Sequence, residues 1–507
     1  MISSWKASRA ALRCVRYGLY LAVSLMVMAV AAAAQETSPL SLSDCVRLGL
    51  ERNPTLRKLA LNVDVAEEGV TIASAPYDAQ LSLDGTYQDS ELPGLGVPIQ
   101  GGTKTLLAGG ALSRNLAYGT TIGIGGDLSQ SKYDEGFGGI SELNSSMVSL
   151  SLRQALLKNA FGAEDRARVR SAEERLQQAR LQYLDERDQL AVGIHEAYWN
   201  AAAAEAAYDI NQRALARAGD LLKSNREKFE DGLLDETAIL AAEAALVTRE
   251  VEVLARRDAV QQTRDILLEL IAVSVEEWDE VAVVFPKENP SGQETMEPDM
   301  WLAFDMAREE RPDLGSLRAL RRSIRQDVIL RQQEARPDLS VFGRVGRGDS
   351  DEEASESFDF DRSVWSVGLE YVTPWSRSAE RAVLAQSELR LRQVDRDIEA
   401  LERIVLLECR LVARDLATAH ERVGATIRAM GIQERKLELE QEKFAQGRST
   451  TKVVVDYQDD LEFAQLSCVD AVARYQKDRV RYRAVQGILL RDSTSADGEG
   501  SAAERSP

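Results

Sequence analysis

KFEDGLLDETAIL (Lys228–Leu240) ends a long charged helical pattern at one glycine and restarts it a few residues later. KFAQGRSTTKVVV (Lys443–Val455) does the same, with Gly447 standing 215 residues after Gly232. A glycine just past the last turn takes the positive φ that closes a helix without steric cost. Each stretch therefore reads as a reversal between two helices. The twelve prolines fall at 39, 54, 76, 93, 98, 286, 290, 298, 312, 337, 374 and 507, which leaves 99–285 and 375–506 free of them. Proline breaks a helix interior, so long helices belong in those two spans.

In the second span Leu391, Val394, Ile398, Leu401 and Val405 recur at intervals of 3, 4, 3 and 4. After one extra step the pattern resumes with Cys409, Val412, Leu416, Ala419 and Val423. This is a shifted heptad seam and predicts coiled-coil packing. In the first span a helix from about Glu164 to Phe229, at a rise of 1.5 Å per residue, reaches roughly 100 Å. YWNAAAAEAAYDI (Tyr198–Ile210) lets helices approach closely along it.

Other segments alternate with period two, the mark of a strand with one apolar face. Leu81, Leu83 and Tyr87 alternate with polar residues, as do Val148, Leu150 and Leu152, then Leu339, Val341 and Val345, then Trp365, Val367, Leu369 and Tyr371. The glycine-rich Leu106–Gln130 region leaves its register, and its place in any barrel, open. Helix, strands and two long helical segments thus occur twice. The echoes ERNPTLRKL and EERPDLGSL, with the paired Lys-Phe-x-x-Gly breaks, mark an internal two-fold structural repeat.

Residues 1–34 read as a signal peptide, with Lys6, Arg9, Arg13 and Arg16 before the apolar LYLAVSLMVMAVAAAA. The first repeat then covers 35–285, a linker 286–300, the second repeat 301–491 and a disordered tail 492–507. Removing the four basic residues of the leader takes the net charge from −20 to −24. Such a surface repels nucleic acid, so no nucleic-acid partner is expected. Cys45, Cys409 and Cys468 remain, an odd number without C-x-x-C spacing, which argues against a disulfide framework. Cys409 and Cys468 read as small buried apolar residues.

An exported chain with amphipathic strands builds either a soluble sandwich or a barrel wall. Four to six strands cannot close a wide barrel alone, and open edges are not tolerated in lipid. A membrane reading therefore requires several chains to share one barrel. LSLSDCVRLGLERNP (Leu40–Pro54), the duplicated order and the paired breaks resemble the outer-membrane efflux protein family, typified by TolC, over about Leu40–Arg491. That resemblance implies a mainly α fold with a membrane β-barrel portion. It implies a homotrimer with four strands per subunit and a periplasmic α-barrel tunnel of coiled-coil helices below the outer membrane. It also implies a periplasmic adaptor (membrane fusion) protein and an inner-membrane transporter as partners. The function implied is an exit duct of a tripartite efflux or type I secretion system.

By the same resemblance Phe229, Gly232 and Leu233, with Phe444, Gly447, Ser449 and Thr450, form adaptor-docking tip turns. Of the family's two inward aspartates past the second turn, Asp456 matches one and Val453 stands at the other, so Asp456 is implied as a pore constriction. Asp459 and Asp460 read as a solvated face. The first strand-to-helix passage has Gln154-Ala155-Leu156 where the family has Gln-Pro-Leu, which predicts a less sharp bend than at Pro374.

His195 and His420 stand alone on helices, without metal-ligand spacing. Arg347-Gly348-Asp349 reads as a chance match to an adhesion tripeptide. No nucleophile set or phosphate-cradling loop is present, so neither an enzyme nor a cofactor is expected. The rival reading is a non-transporting coiled-coil envelope scaffold or adhesin-like protein, which has no need of amphipathic strands of membrane length.

Overall fold

The computed structural model describes residues 40–90, 102–137, 140–278, 281–285 and 297–490. The leader, the C-terminal tail and most of the 286–300 linker lie outside them. The chain runs α1 (Leu42–Arg52), α2 (Pro54–Ser74), β1 (Ala79–Ser90), β2 (Thr103–Leu116), β3 (Thr120–Phe137), β4 (Ile140–Ala155), α3 (Ala163–Glu230) and α4 (Glu236–Leu270). It continues through α5 (Met300–Glu310), α6 (Pro312–Glu334), β5 (Asp338–Asp351), β6 (Arg362–Val372), α7 (Ser378–Ala445) and α8 (Thr451–Val485). Helices α3 and α7 each hold 68 residues, and α4 and α8 each hold 35. A 68-residue helix is about 100 Å long.

Local chemistry sets the helix starts. Ser41 and Asp44 form a capping box on α1, Asn53 caps α2 with Pro54 at its first position, and Asp299 accepts from two N–H groups at the start of α5. These caps satisfy donors that a helix cannot pair itself.

The later half of the seam read from spacing lies in the core, with Ala413 buried where the seam has Val412, itself only partly buried. Val405, Cys409, Ala413, Leu416, Ala419 and Val423 are buried against Ala471, Tyr475 and Tyr482 of α8 and Ala303, Ala307 and Leu314 of α5 and α6. A second core gathers Cys45, Ile194, Ala197, Tyr198, Leu267, Leu268 and Ile271. Alanines 191, 197, 201, 207, 214 and 218 are all buried along α3, which brings its neighbours close. No helix among the described residues is long and apolar enough to cross a membrane.

The strands form one antiparallel sheet in the order β1-β2-β3-β4-β5-β6. The four alternating segments lie in β1, β4, β5 and β6, but the sheet has six strands and not the four that the resemblance implies. The Leu106–Gln130 region supplies both extra strands, paired with their neighbours without slippage from Thr103 to Leu116. Its glycines dilute the alternation in sequence and leave the backbone ladder intact. The passage from β4 to α3 is shaped by its backbone conformation. Without a proline it turns through three left-handed residues, Asn159 (φ 54), Phe161 (φ 53) and Gly162 (φ 73).

Candidate functional site

The two helix breaks share one hydrogen-bond pattern. After α3 the Gly232 N–H donates to the Phe229 carbonyl (2.9 Å) and the Leu233 N–H to the Lys228 carbonyl (2.8 Å). After α7 the Gly447 N–H donates to the Phe444 carbonyl (3.1 Å) and the Arg448 N–H to the Lys443 carbonyl (2.9 Å). Both are Schellman closures, which satisfy carbonyls the helix end leaves open. Gly232 and Gly447 take φ of 73° and 72°. A Cβ at either glycine meets nothing within 4 Å, so only the backbone conformation demands glycine there.

The surroundings of the two turns differ. Phe444 is buried with Leu221, Leu222, Ala242 and Val454, whereas Phe229 is 43 % exposed and Leu233 71 % exposed. Lys228 crosses between the turns: its Nζ donates to the Phe444 carbonyl (2.9 Å) and lies 3.7 Å from the centre of that ring. It thereby places a cation on the carbonyl end of α7. Asn225, fully buried, donates through Nδ2 to the Ala238 carbonyl and to Thr451 Oγ1, both at 3.0 Å. At the second turn Glu440 accepts from Ser449 Oγ (2.6 Å) and from Lys443 Nζ (2.9 Å). These bonds hold the Glu440 carboxyl below the usual carboxylate range, the Ser449 bond first. Gly447, Thr450 and Leu233 remain exposed and Ser449 half-buried. Sequence reasoning missed Asn225, Lys228 and Glu440. The 215-residue offset, which aligns Asn225 with Glu440, was the signal that could have found two of them.

Geometry separates the three aspartates that periodicity could not. Asp459 pairs with Arg249 of α4, whose guanidinium also holds Glu252 and Glu462 at 2.5 Å. Asp460 pairs with Lys436 of α7 at 2.8 Å. Asp456 is exposed and makes no ion pair among the described residues.

At the other end of the long helices the sheet sorts its side chains by face. One cross-strand row reads Leu81, Leu112, Ile124, Leu150, Val345 and Trp365. The next row, on the opposite face, reads Ser82, Ala111, Gly125, Ser149, Gly346 and Val364. The apolar row is open to its surroundings, from 47 % at Leu112 to 76 % at Trp365. Exposed aromatic residues, Tyr118, Phe161, Tyr371 and Trp375, lie at the helix-side end of the strands. Among the described residues both outer edges, β1 and β6, lack a strand partner.

The remaining candidates are scattered through the fold, with His195 half-buried and His420 exposed. Burial, with Arg483 nearby, pushes the His195 imidazole down to about 4, so it is neutral. The His420 ring lies 5.7 Å from that of Tyr475. Cys45, Cys409 and Cys468 are free and buried, and burial pushes the Cys45 thiol up to about 11. The Arg347-Gly348-Asp349 tripeptide lies within β5, with Asp349 paired to Arg362.

Residues 46–273 match the family described as outer membrane efflux protein. No curated protein matches the chain by sequence. Among solved structures it is similar to the outer membrane protein VceC from Vibrio cholerae, at 15 % identity and a TM-score of 0.65 over 88 % of this chain and 96 % of that one. It is similar to the Campylobacter jejuni CmeC outer membrane channel at 14 % identity and a TM-score of 0.65, over 88 % and 86 %. For CusC the values are 14 % and 0.67, over 89 % and 93 %. At these identities the likeness is one of fold.

Proposed function

We propose that this chain, matched to the outer membrane efflux protein family over residues 46–273 and folded like solved outer-membrane channels, is one subunit of an exit duct in the outer membrane. The observation that carries this reading is the sheet: an exposed, mainly apolar face between two edges without a strand partner among the described residues, mounted on helices about 100 Å long. Lipid satisfies the face. Edges in lipid need strand partners, so further copies complete the barrel, and we take the assembly to be a homotrimer. The helices carry the same demand. Leu240, Val247, Val251 and Leu254 of α4, and Ile404, Leu407 and Leu411 of α7, are exposed at helical spacing and fit the contacts of a closed periplasmic tunnel. The matched element lengths in the two halves support descent from a duplicated unit. A coiled-coil scaffold leaves the apolar face unused.

In this reading the tip turns receive a periplasmic adaptor that links the duct to an inner-membrane transporter. Phe229, Gly232 and Leu233 offer one exposed turn, and Gly447, Ser449 and Thr450 the other, with Phe444 supporting them from beneath. Asp456, the unpaired acid near the tip, lines the constriction. The duct is passive and catalyses nothing. Native mass in detergent and planar-bilayer recording test the proposal together: a conducting trimer is expected, and a stable monomer with full strand content sinks it. Asp456→Ala is expected to weaken block by divalent cations and to leave assembly intact. Unchanged block returns Asp456 to a solvated face.

A further inference from the structure

The hairpin β2–β3 is the one part of the sheet that the four expected strands do not account for. It is built as wall. Its ladder to β1 runs from Thr103 to Arg114 and its ladder to β4 from Thr120 to Lys132 without a register shift, and between the strand ends its side chains, Leu107 apart, obey the sorting of its neighbours. Leu106, Leu112, Ile122, Ile124 and Leu128 fall on the apolar face, each between 39 % and 53 % exposed. Ser113, Thr121, Asp127 and Ser129 fall on the other face. A segment folded into the lumen as a plug has water on both sides and no reason to keep an apolar face in register with four neighbouring strands.

The hairpin is also fixed at its base. Its helix-side turn, 117–119, sits on the passage from β4 to α3: Arg166 Nη1 donates to the Ala117 carbonyl (2.9 Å) and Gln154 Nε2 to the Tyr118 carbonyl (3.2 Å). Gly119, at φ +70, lies so close that a Cβ there comes within 2.5 Å of the Asn159 carbonyl oxygen. The strained left-handed residues of that passage, Asn159 and Phe161, shape the seat this turn occupies. The missing proline at 155 and the added hairpin thus belong to one arrangement.

We propose that β2–β3 is an integral wall insertion, so that three copies of a six-strand sheet close a barrel of eighteen strands, each copy's β6 edge pairing with the next copy's β1 edge. This rests on the duct reading above. Barrel diameter grows roughly linearly with strand number, so the wall is about one and a half times as wide as a twelve-stranded one, within the range where porins leave an aqueous channel. The lumen face of the hairpin adds to this, since Gly109, Ala111, Gly123 and Gly125 leave that side of the wall nearly bare. The outer end of this duct consequently passes bulkier cargo than a four-strand subunit permits, and the narrow point lies at the helical tip.

Two experiments decide it. Single cysteines are placed at Leu112, Ile124, Ser113 and Asp127 in outer membranes holding the full chain and probed with a membrane-impermeant methanethiosulfonate. The natural cysteines are buried and provide the background. Modification of Ser113→Cys and Asp127→Cys at least tenfold faster than Leu112→Cys and Ile124→Cys is expected. Equal rates on both faces mean a plug or an external loop and overturn the proposal. Single-particle imaging of the detergent-solubilised assembly then counts strands. Eighteen supports the wall insertion; twelve, with the hairpin outside the wall, refutes it while leaving the duct intact. A chain that forms no oligomeric barrel removes the duct reading itself, and the insertion with it.

Discussion

The two tip turns have nearly the same sequence signature and the same backbone, yet they occupy different environments. At the first, Phe229 faces outward and the turn is tethered through Asn225; at the second, Phe444 is buried and the turn is tethered through Glu440 and, from across the tip, Lys228. A glycine and a closing hydrogen-bond pair are enough to specify a reversal. They do not specify what packs under it. One turn therefore leaves its aromatic residue exposed, while the other uses the equivalent ring as its foundation.

The largest consequence is for the aromatics. Truncating a buried phenylalanine typically costs about 3–5 kcal/mol, so Phe444→Ala should raise amide hydrogen exchange across both turns. Phe229→Ala should change local stability by less than about 0.5 kcal/mol and act on adaptor capture in a pull-down. Similar exchange in the two variants contradicts the asymmetry.

The glycines should show no such difference. Because a Cβ meets nothing at either position, Gly232→Ala and Gly447→Ala should each cost about 1 kcal/mol, the conformational penalty alone. A much larger cost at one of them reveals packing that its open surroundings do not suggest.

The restarts differ by a cap. The Asp235 side chain accepts from the Ala238 N–H at 3.1 Å, while Thr450 makes no side-chain cap bond. Asp235→Ala should speed amide exchange in the first turn of α4, and Thr450→Ala should leave the first turn of α8 unchanged by the same measurement.

The smallest contrast is in pH. Glu440 is held below its ordinary value, so the stability it contributes is present above the unfolded carboxylate range and is lost as pH falls through its lowered folded value. Its counterpart Asn225 does not titrate. Asp235, at the first restart, is lowered as well by its bonds from Thr237 and Ala238, so acidification should loosen both turns, and Glu440→Gln should remove the response of the second turn alone.

The elements legible beforehand were those whose information is local. The first long helix, read as about Glu164 to Phe229, spans Ala163–Glu230, and both helix breaks fall at the glycines that mark them, because closing glycines act on their own backbone. The α7 seam was equally plain, since a heptad needs only spacing. The glycine-rich strands were not, because pairing with β1 and β4, and not their own alternation, holds them as strands.

What the sequence by itself determined here is where the chain reverses, which helix face is apolar and that alternating strands recur in both halves. All of these are set by residues within a few positions of one another. Only the tertiary structure decided that Phe444 is buried and Phe229 is not, and, among the described residues, that Asp459 and Asp460 have cationic partners while Asp456 has none and that the sheet has six strands. Each of these depends on a group far away in the chain, such as Arg249 for Asp459 or Leu221 and Leu222 beneath Phe444. Burial and pairing are properties of what the fold brings alongside a residue, and no local spacing encodes them.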